Sequence, residues 1–332
     1  MKFFQDVAQV TFTGIDKVFE VSSVFCEFSI GGRDFSVKWY GVIIAFGFTL
    51  AVLFGGRGAY KWKMDLNKMI DVLIYGTLAG IIGARLYYCA FSWDEFKDNP
   101  IEVLYIWNGG LAIYGGIIAA LLAAFVVCKV EKLSFGNLLD LAGMSLLIGQ
   151  GIGRWGNFAN QEAFGCNTDS PFGMWSEKVA SYIIRHQSSL PGVDPSKPVH
   201  PTFLYESVWC LVGFALLFIM CKKFRKFSGQ IFLSYGVWYG LGRMIIEGLR
   251  TDSLYIGDTS LRVSQLLSGV VVIVFAAVLM ALLVKYTKNP KPIEGVDYYI
   301  EPAPFFKSKK KAEEKPTEEI KAQGEEEDVQ DN

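Results

Sequence analysis

Charged side chains set in apolar sequence are the candidates for chemistry, because an ionisable group inside a membrane-like run is costly unless it is paired or faces a polar cavity. The densest group is Gly151-Ile-Gly-Arg154-Trp-Gly-Asn157-Phe-Ala-Asn160-Gln-Glu162-Ala-Phe-Gly165, which carries a fixed cation, two amides and a carboxylate. Its four glycines predict that the chain leaves helical geometry near Arg154 and lets backbone approach a ligand. The bland alternative is an interfacial cap in which Arg154 snorkels and Asn157 ends the helix. Arg243, Glu247 and Arg250 follow at spacings of four and three, which places them on one helical face. They form either a self-neutralising ladder or, with one positive charge left over, half of an anion site. His200-Pro-Thr-Phe-Leu-Tyr205-Glu206 opens another apolar run, with Pro201 suited to a first helical turn and His200 either a cap or a proton shuttle. Tyr114 lies between glycine pairs in Asn108-Gly-Gly-Leu-Ala-Ile-Tyr114-Gly-Gly116, which is either close helix packing or a phenol presented to a cavity. Arg85 is a further cation that either joins the others or snorkels, and Lys38-Trp-Tyr40-Gly41 reads as an interfacial aromatic belt.

The elements that must position these groups are helices in a bilayer. Of 332 residues 52% are apolar and 15% aromatic, and the mean hydropathy is +0.30, more than a soluble globule carries. Seven stretches are long enough to cross a hydrocarbon core: near 39–58, 70–91, 111–128, 136–154, 203–221, 230–249 and 262–284. The fourth is weakened by Asp140 and Gln150. Continuous rather than alternating runs favour helices over a barrel, so the predicted class is an all-α integral membrane protein. Arg57, Lys61, Lys63 and Lys68 follow the first span, Lys129 and Lys132 the third, and Lys222, Lys223, Arg225 and Lys226 the fifth. By the positive-inside rule those loops face the cytoplasm, which puts the N-terminus outside and the C-terminus inside. The acidic stretch around Asp94, Glu95, Asp98 and Glu102 and the long 155–202 segment then lie outside, and every polar group above gathers at the outer leaflet.

The domain reading is an outer segment over 1–38, a membrane domain over 39–287 with its outer loop at 155–202, and a charged, disordered cytoplasmic tail over 288–332. The first 38 residues lack the basic start and apolar core of a signal peptide; Phe25–Ile30 and Asp34–Val37, parted by Gly31-Gly32, predict an outer hairpin. A net charge of −1 gives no basic face for nucleic acid. Six cysteines without a CxxC pair and only two histidines indicate neither a disulfide framework nor a metal, and no cofactor is expected.

Guanidinium presents paired donors in a planar fork that suits phosphate. The abundant phosphate at an outer leaflet is a lipid headgroup, so the residues point to an enzyme acting on phospholipid or to a phospholipid or anion transporter that binds without chemistry. A polar cluster confined to one leaflet and the lack of internal repeats argue against the transporter. A structural scaffold has no need of outer arginines.

The run Gly153–Gly165 resembles the signature of bacterial prolipoprotein diacylglyceryl transferases. Trp39-Tyr-Gly41, Gly109-Gly110, Gly115-Gly116, His200-Pro-Thr-Phe-Leu-Tyr-Glu206 and Arg243-x-x-x-Glu247-x-x-Arg250 occur in the family's order, and the resemblance covers about residues 25–285. It implies seven spans in the bacterial cytoplasmic membrane, with the active site toward the outer leaflet. It implies transfer of diacylglyceryl from phosphatidylglycerol to the lipobox cysteine of a preprolipoprotein, forming a thioether and releasing glycerol phosphate. The nucleophile is then the substrate's thiol. By this resemblance Arg154 binds the phosphate of phosphatidylglycerol, Arg243 is a second cation oriented by Glu247, and Asn157 and Glu162 bind headgroup atoms or hold Arg154. Tyr40, Asn160, Gly165 and Arg250 carry over to the substrate site. Many relatives have histidine where this chain has Tyr114; a phenol, titrating near 10, is a poor base at neutral pH. Tyr114 is left as a hydrogen-bond donor to phosphate, with Glu162 or His200 as base.

Overall fold

A computed structural model describes residues 2–3, 7–188, 190, 192–251, 262–290 and 293. Among the described residues, six helices are long and apolar enough to cross a membrane: α1 (Trp39–Lys61), α2 (Leu66–Phe91), α3 (Ile113–Val130), α4 (Phe135–Asn160), α6 (Thr202–Lys223) and α8 (Val263–Lys288). Between them lie the short α5 (Glu177–Arg185) and the long α7 (Gln230–Glu247). The predicted sixth span corresponds to α7, whose three glycines, Arg243 and Glu247 dilute its apolar character, and it is not among the six. Predicted helix limits otherwise hold to within a few residues, apart from α4, which runs on to Asn160.

That extension corrects the expectation that glycines end the helix near Arg154. Gly151 and Gly156 stay helical because each fits a neighbour: a methyl on Gly151 would press on Cys210 of α6, and one on Gly156 would strike the Tyr40 ring of α1. Arg154, Asn157 and Asn160 therefore ride on a rigid helix. The chain leaves it at Gln161, which takes left-handed geometry (φ 55°).

The predicted N-terminal hairpin is present as β4 (Val24–Ile30) and β5 (Arg33–Lys38), paired antiparallel across Gly31-Gly32. The N-terminal segment holds more strand than the sequence suggested. β1 (Lys2–Phe3) joins that hairpin, and β2 (Val7–Phe12) pairs with both β3 (Ile15–Ser22) and the distant β6 (Met174–Ser176). Over this second sheet, Val10, Phe164, Met174, Val179, Ile183, Val199 and Phe203 form a buried cluster, so the start of the chain and the 161–201 segment make one cap above the top of α6.

The helices sort into pairs: α2 with α3, α1 with α4, α7 with α8, and α4 with α6 and α7. α4 is the axis, burying Asp140, Leu141, Gly143, Met144, Leu147 and Gly151 along one flank. α8 buries none of its residues. α2 and α3 approach closely through small residues, Gly83 and Gly80 against Gly115 and Gly116, so the packing reading of the second glycine pair holds.

At the end of α4 away from Arg154, Asp140 is fully buried and accepts hydrogen bonds from the backbone N–H of Gly229 and of Phe232 (2.9 Å each), capping α7. The Arg225 guanidinium meets the same carboxylate at 2.8 Å, donates to Asn137 and stacks on Trp62 at 4.2 Å. This explains why an aspartate sits inside a span: it is paired with a cation and with helix N–H groups. The predicted tail beyond Asn289-Pro290 lies almost wholly outside the described residues.

Candidate active site

Glu206, on the first turns of α6, is the centre of the polar cluster. Its side chain is only 4% exposed, and three guanidinium groups from three places converge on it. Arg154 of α4 reaches one carboxylate oxygen at 2.6 Å; Arg243 of α7 reaches the other at 2.9 Å, and Arg250 approaches that second oxygen at 3.6 Å. Arg243 spends its other terminal nitrogen on Glu247, 2.5 Å away and one helical turn further on. Arg154 also donates to the Asn157 side-chain oxygen at 3.4 Å, and the Asn157 amide donates to Glu162 at 2.9 Å.

Among the described residues, three guanidinium groups face the two buried carboxylates of Glu206 and Glu247, and the arginine side chains remain 13–21% exposed. Cations at that depth are costly unless paired, and groups that stay partly exposed can also meet an incoming anion. Glu206 holds the guanidinium planes apart and in fixed directions, so the arginines need not reorganise when a ligand binds.

Arg250 departs from the predicted arrangement. α7 ends at Glu247, so Arg250 does not extend a helical face. The chain turns through Gly248-Leu249, and Arg250 pairs as an isolated bridge with Gly165. Cys166 N–H donates to Leu249 C=O (2.8 Å) and Gly165 N–H to His200 C=O (2.9 Å), stitching together the ends of α4 and α7 and the start of α6. A side chain at Gly165 would collide with His200 and the Leu249 carbonyl, so its absence lets three segments meet.

His200 lies just before α6, with Pro201 as its N-cap residue, and its Nδ1 is 3.1 Å from the Tyr205 hydroxyl. Burial lowers its pKa from the ordinary 6.5, so the imidazole is neutral at neutral pH. Glu162 is exposed, at the far end of the Asn157 relay, while Asn160 is half-buried in the last turn of α4. Tyr40 packs its ring over Gly156, two residues after Arg154. Tyr114 begins α3 and is 41% exposed.

Arg85 does not join the cluster. It is buried, donates to the carbonyls of Glu102, Val103, Gly109 and Gly110 at 2.6–3.0 Å, and stacks on Phe96 at 5.0 Å. The guanidinium thus braces the loop between α2 and α3, with backbone carbonyls rather than a ligand anion as partners. Glu206 is the residue that sequence reasoning underrated. The signal was there: a carboxylate one turn into an apolar helix, with no Lys or Arg within reach on its own helix.

The profile of the family described as prolipoprotein diacylglyceryl transferase matches residues 27–282 of the chain. A protein of Listeria welshimeri described as a phosphatidylglycerol–prolipoprotein diacylglyceryl transferase is 47% identical over 238 residues, covering 72% of this chain and 83% of that protein. Proteins of the same description from Limosilactobacillus reuteri and Staphylococcus haemolyticus are 41% identical over 262 residues and 38% over 259; each alignment covers 78% of this chain, and 90% and 88% of the relatives respectively.

Proposed function

The chain belongs to the prolipoprotein diacylglyceryl transferase family, and on that premise we propose that the Glu206-centred cluster of arginines is where the lipid phosphate is held during transfer. The protein is a transferase of bacterial lipoprotein biosynthesis that moves the diacylglyceryl group of phosphatidylglycerol to a prolipoprotein. The acceptor in this reading is the lipobox cysteine thiol. The sulfur forms a bond to the glycerol carbon while the bond from that carbon to the phosphate oxygen breaks. The electron pair leaves with glycerol phosphate, and the thiol proton passes to a base.

The observation that carries the assignment is the convergence of Arg154, Arg243 and Arg250 on one buried carboxylate, with all three arginine side chains still partly exposed. As the carbon–oxygen bond breaks, negative charge grows on the departing phosphate, and fixed guanidinium donors lower the barrier in proportion to that growth. Arg154 and Arg243 grip the phosphate, Arg250 adds field, and Glu247 orients Arg243. Asn157 and Glu162 hold Arg154 and meet the headgroup glycerol, with Asn160, Tyr40 and Gly165 shaping the same pocket and Tyr114 donating to the phosphate. The substrate thiol, with a free pKa near 8.5, needs help to ionise. His200, neutral and tethered through Nδ1, is a suitable acceptor, and Glu162 is the second candidate.

The membrane placement belongs to the same proposal. α7 keeps pace with α4 along its length: Phe232 N–H caps on Asp140 near the start of α4, and Arg243 meets Glu206 beside Arg154 near its end. This supports α7 as a seventh crossing, about 27 Å long at 1.5 Å per residue. The N-terminus and the cluster then face outward, with the lysine-rich loops inward in the cytoplasmic membrane. Family membership does not favour a transporter. Purified protein given labelled phosphatidylglycerol and a lipobox peptide is expected to leave label on the peptide's cysteine. Phospholipid binding or flux without that thioether would overturn the reading.

A further inference from the structure

Just below the arginine cluster, α6 and α7 are joined by two tryptophans that exchange hydrogen bonds. The Trp209 indole N–H donates to the Trp238 carbonyl at 2.9 Å, and the Trp238 indole N–H donates to the Trp209 carbonyl at 3.0 Å. The rings stack with centroids 4.5 Å apart and planes 19° from parallel. Each ring is seated on a glycine of the opposite helix, Trp238 on Gly213 and Trp209 on Gly242, and a methyl on either glycine would overlap the facing indole nitrogen. Glycine and tryptophan are four residues apart on both helices, so the motif repeats itself across a local two-fold.

Such an arrangement has one register. Apolar side chains sliding past each other in lipid offer little resistance, since the bilayer is as apolar as they are. An indole N–H without an acceptor in that setting is costly, and here both acceptors are lost together if either helix shifts along the other. Trp209 lies one turn from Glu206, and Trp238 lies five residues before Arg243. A slip of one residue moves α7 by about 1.5 Å, enough to carry the 2.9 Å contact between Arg243 and Glu206 out of hydrogen-bond range.

We infer that Trp209 and Trp238 are positioning residues for the transfer reaction, setting the register of α7 on α6 so that Arg243 and Arg154 share Glu206 in catalytic geometry. The inference rests on the transferase reading above. Phenylalanine at either position keeps the stack and removes the donor. In the full-length protein, Trp209→Phe and Trp238→Phe are each expected to lower kcat for transfer about tenfold while KM for phosphatidylglycerol changes by less than about twofold, because the arginines are displaced and not removed. In a Glu206→Gln background, where the shared carboxylate is already gone, adding Trp238→Phe should cost less than roughly twofold. A merely structural tryptophan would subtract its full effect in both backgrounds.

A second measurement does not depend on catalysis. Spin labels at Val208→Cys and Ile245→Cys, both exposed in the parent, in a Cys166→Ser background should give one narrow distance that broadens in the Trp209→Phe/Trp238→Phe double variant. Unchanged kcat, an undiminished loss in the Glu206→Gln background, or an unchanged distance distribution would each overturn the inference. If the parent protein forms no thioether, the transferase reading fails, and the label distance alone judges the register.

Discussion

Replacing Glu206 by glutamine removes one charge and almost no volume, and its effect can be worked from the contacts. The carboxylate offers one oxygen to Arg154 at 2.6 Å and the other to Arg243 at 2.9 Å, and both partners are donors only. Glutamine keeps one oxygen and turns the other into an NH2 group, so whichever way the amide flips, one arginine faces a donor and must move. Losing one partner from a buried charged network costs about 3–5 kcal/mol when the remaining charge stays buried. Displacing a catalytic group by about 1 Å costs roughly a hundredfold in rate, close to 2.7 kcal/mol. Glu206→Gln is therefore expected to lower kcat about a hundredfold while KM for phosphatidylglycerol holds steady or falls, because a freed guanidinium can still bind phosphate. The assay is a steady-state series in phosphatidylglycerol with a lipobox peptide as acceptor, scoring thioether by mass. A Glu206→Gln enzyme with parental kcat and KM would refute the claim that this carboxylate orders the arginines.

Other outcomes follow from the same geometry. Tyr114→Phe should reduce transfer less than Arg154→Ala does, since Tyr114 stands on α3 and Arg154 is bonded within the cluster; the reverse order would remove Arg154 from the phosphate. Burial lowers the pKa of His200 below 6.5, so its neutral form persists as pH falls through 6.5 and is lost only nearer the lowered value. If His200 is the base, the acid limb of the kcat profile lies below pH 6.5 and disappears in His200→Gln; a limb that survives in His200→Gln and disappears in Glu162→Gln assigns the proton to Glu162. Linkage has the same sign: the unfolded chain binds that proton first, so His200's share of stability is complete above 6.5 and declines as pH falls toward the folded value. Asp140→Asn should lower the unfolding free energy by about 3 kcal/mol or more through loss of a fully buried pair, seen as a fall in the thermal midpoint, with Arg225→Ala in the same background adding less than it costs alone; fully additive losses would show that the two side chains do not act as a unit.

Much of the membrane part was legible because bilayer-spanning runs are continuous and apolar, and because charges inside them are rare enough to stand out. Arg154, Arg243 and Glu247 were marked on that ground alone. Glu206 was seen but not recognised as the centre, because its partners come from α4, α7 and the turn after α7, and no spacing rule connects helices that meet only in three dimensions. Arg85 misled for a related reason. Its acceptors are backbone carbonyls of a loop seventeen to twenty-five residues away, and carbonyls leave no trace in side-chain chemistry. The glycines of α4 were read as breaks because their neighbours on α1 and α6 are invisible in the sequence. β2 and β3 escaped notice because the sheet is completed by a strand more than 150 residues later.

The depth of the Glu206 carboxylate has a consequence for how the protein responds to its surroundings. Mobile ions weaken attractions between charges they can surround, with a reach of about 8 Å at physiological ionic strength, but they do not enter a pocket already filled by protein. The pair Lys97–Asp94, 55% and 95% exposed, is expected to fade as salt is added. The attraction of three guanidinium groups for one oxygen pair only 4% exposed should persist from dilute buffer to brine. A bacterium living through osmotic swings would then keep the same grip on its lipid throughout, with any salt sensitivity confined to the arrival of the charged headgroup and the departure of the product.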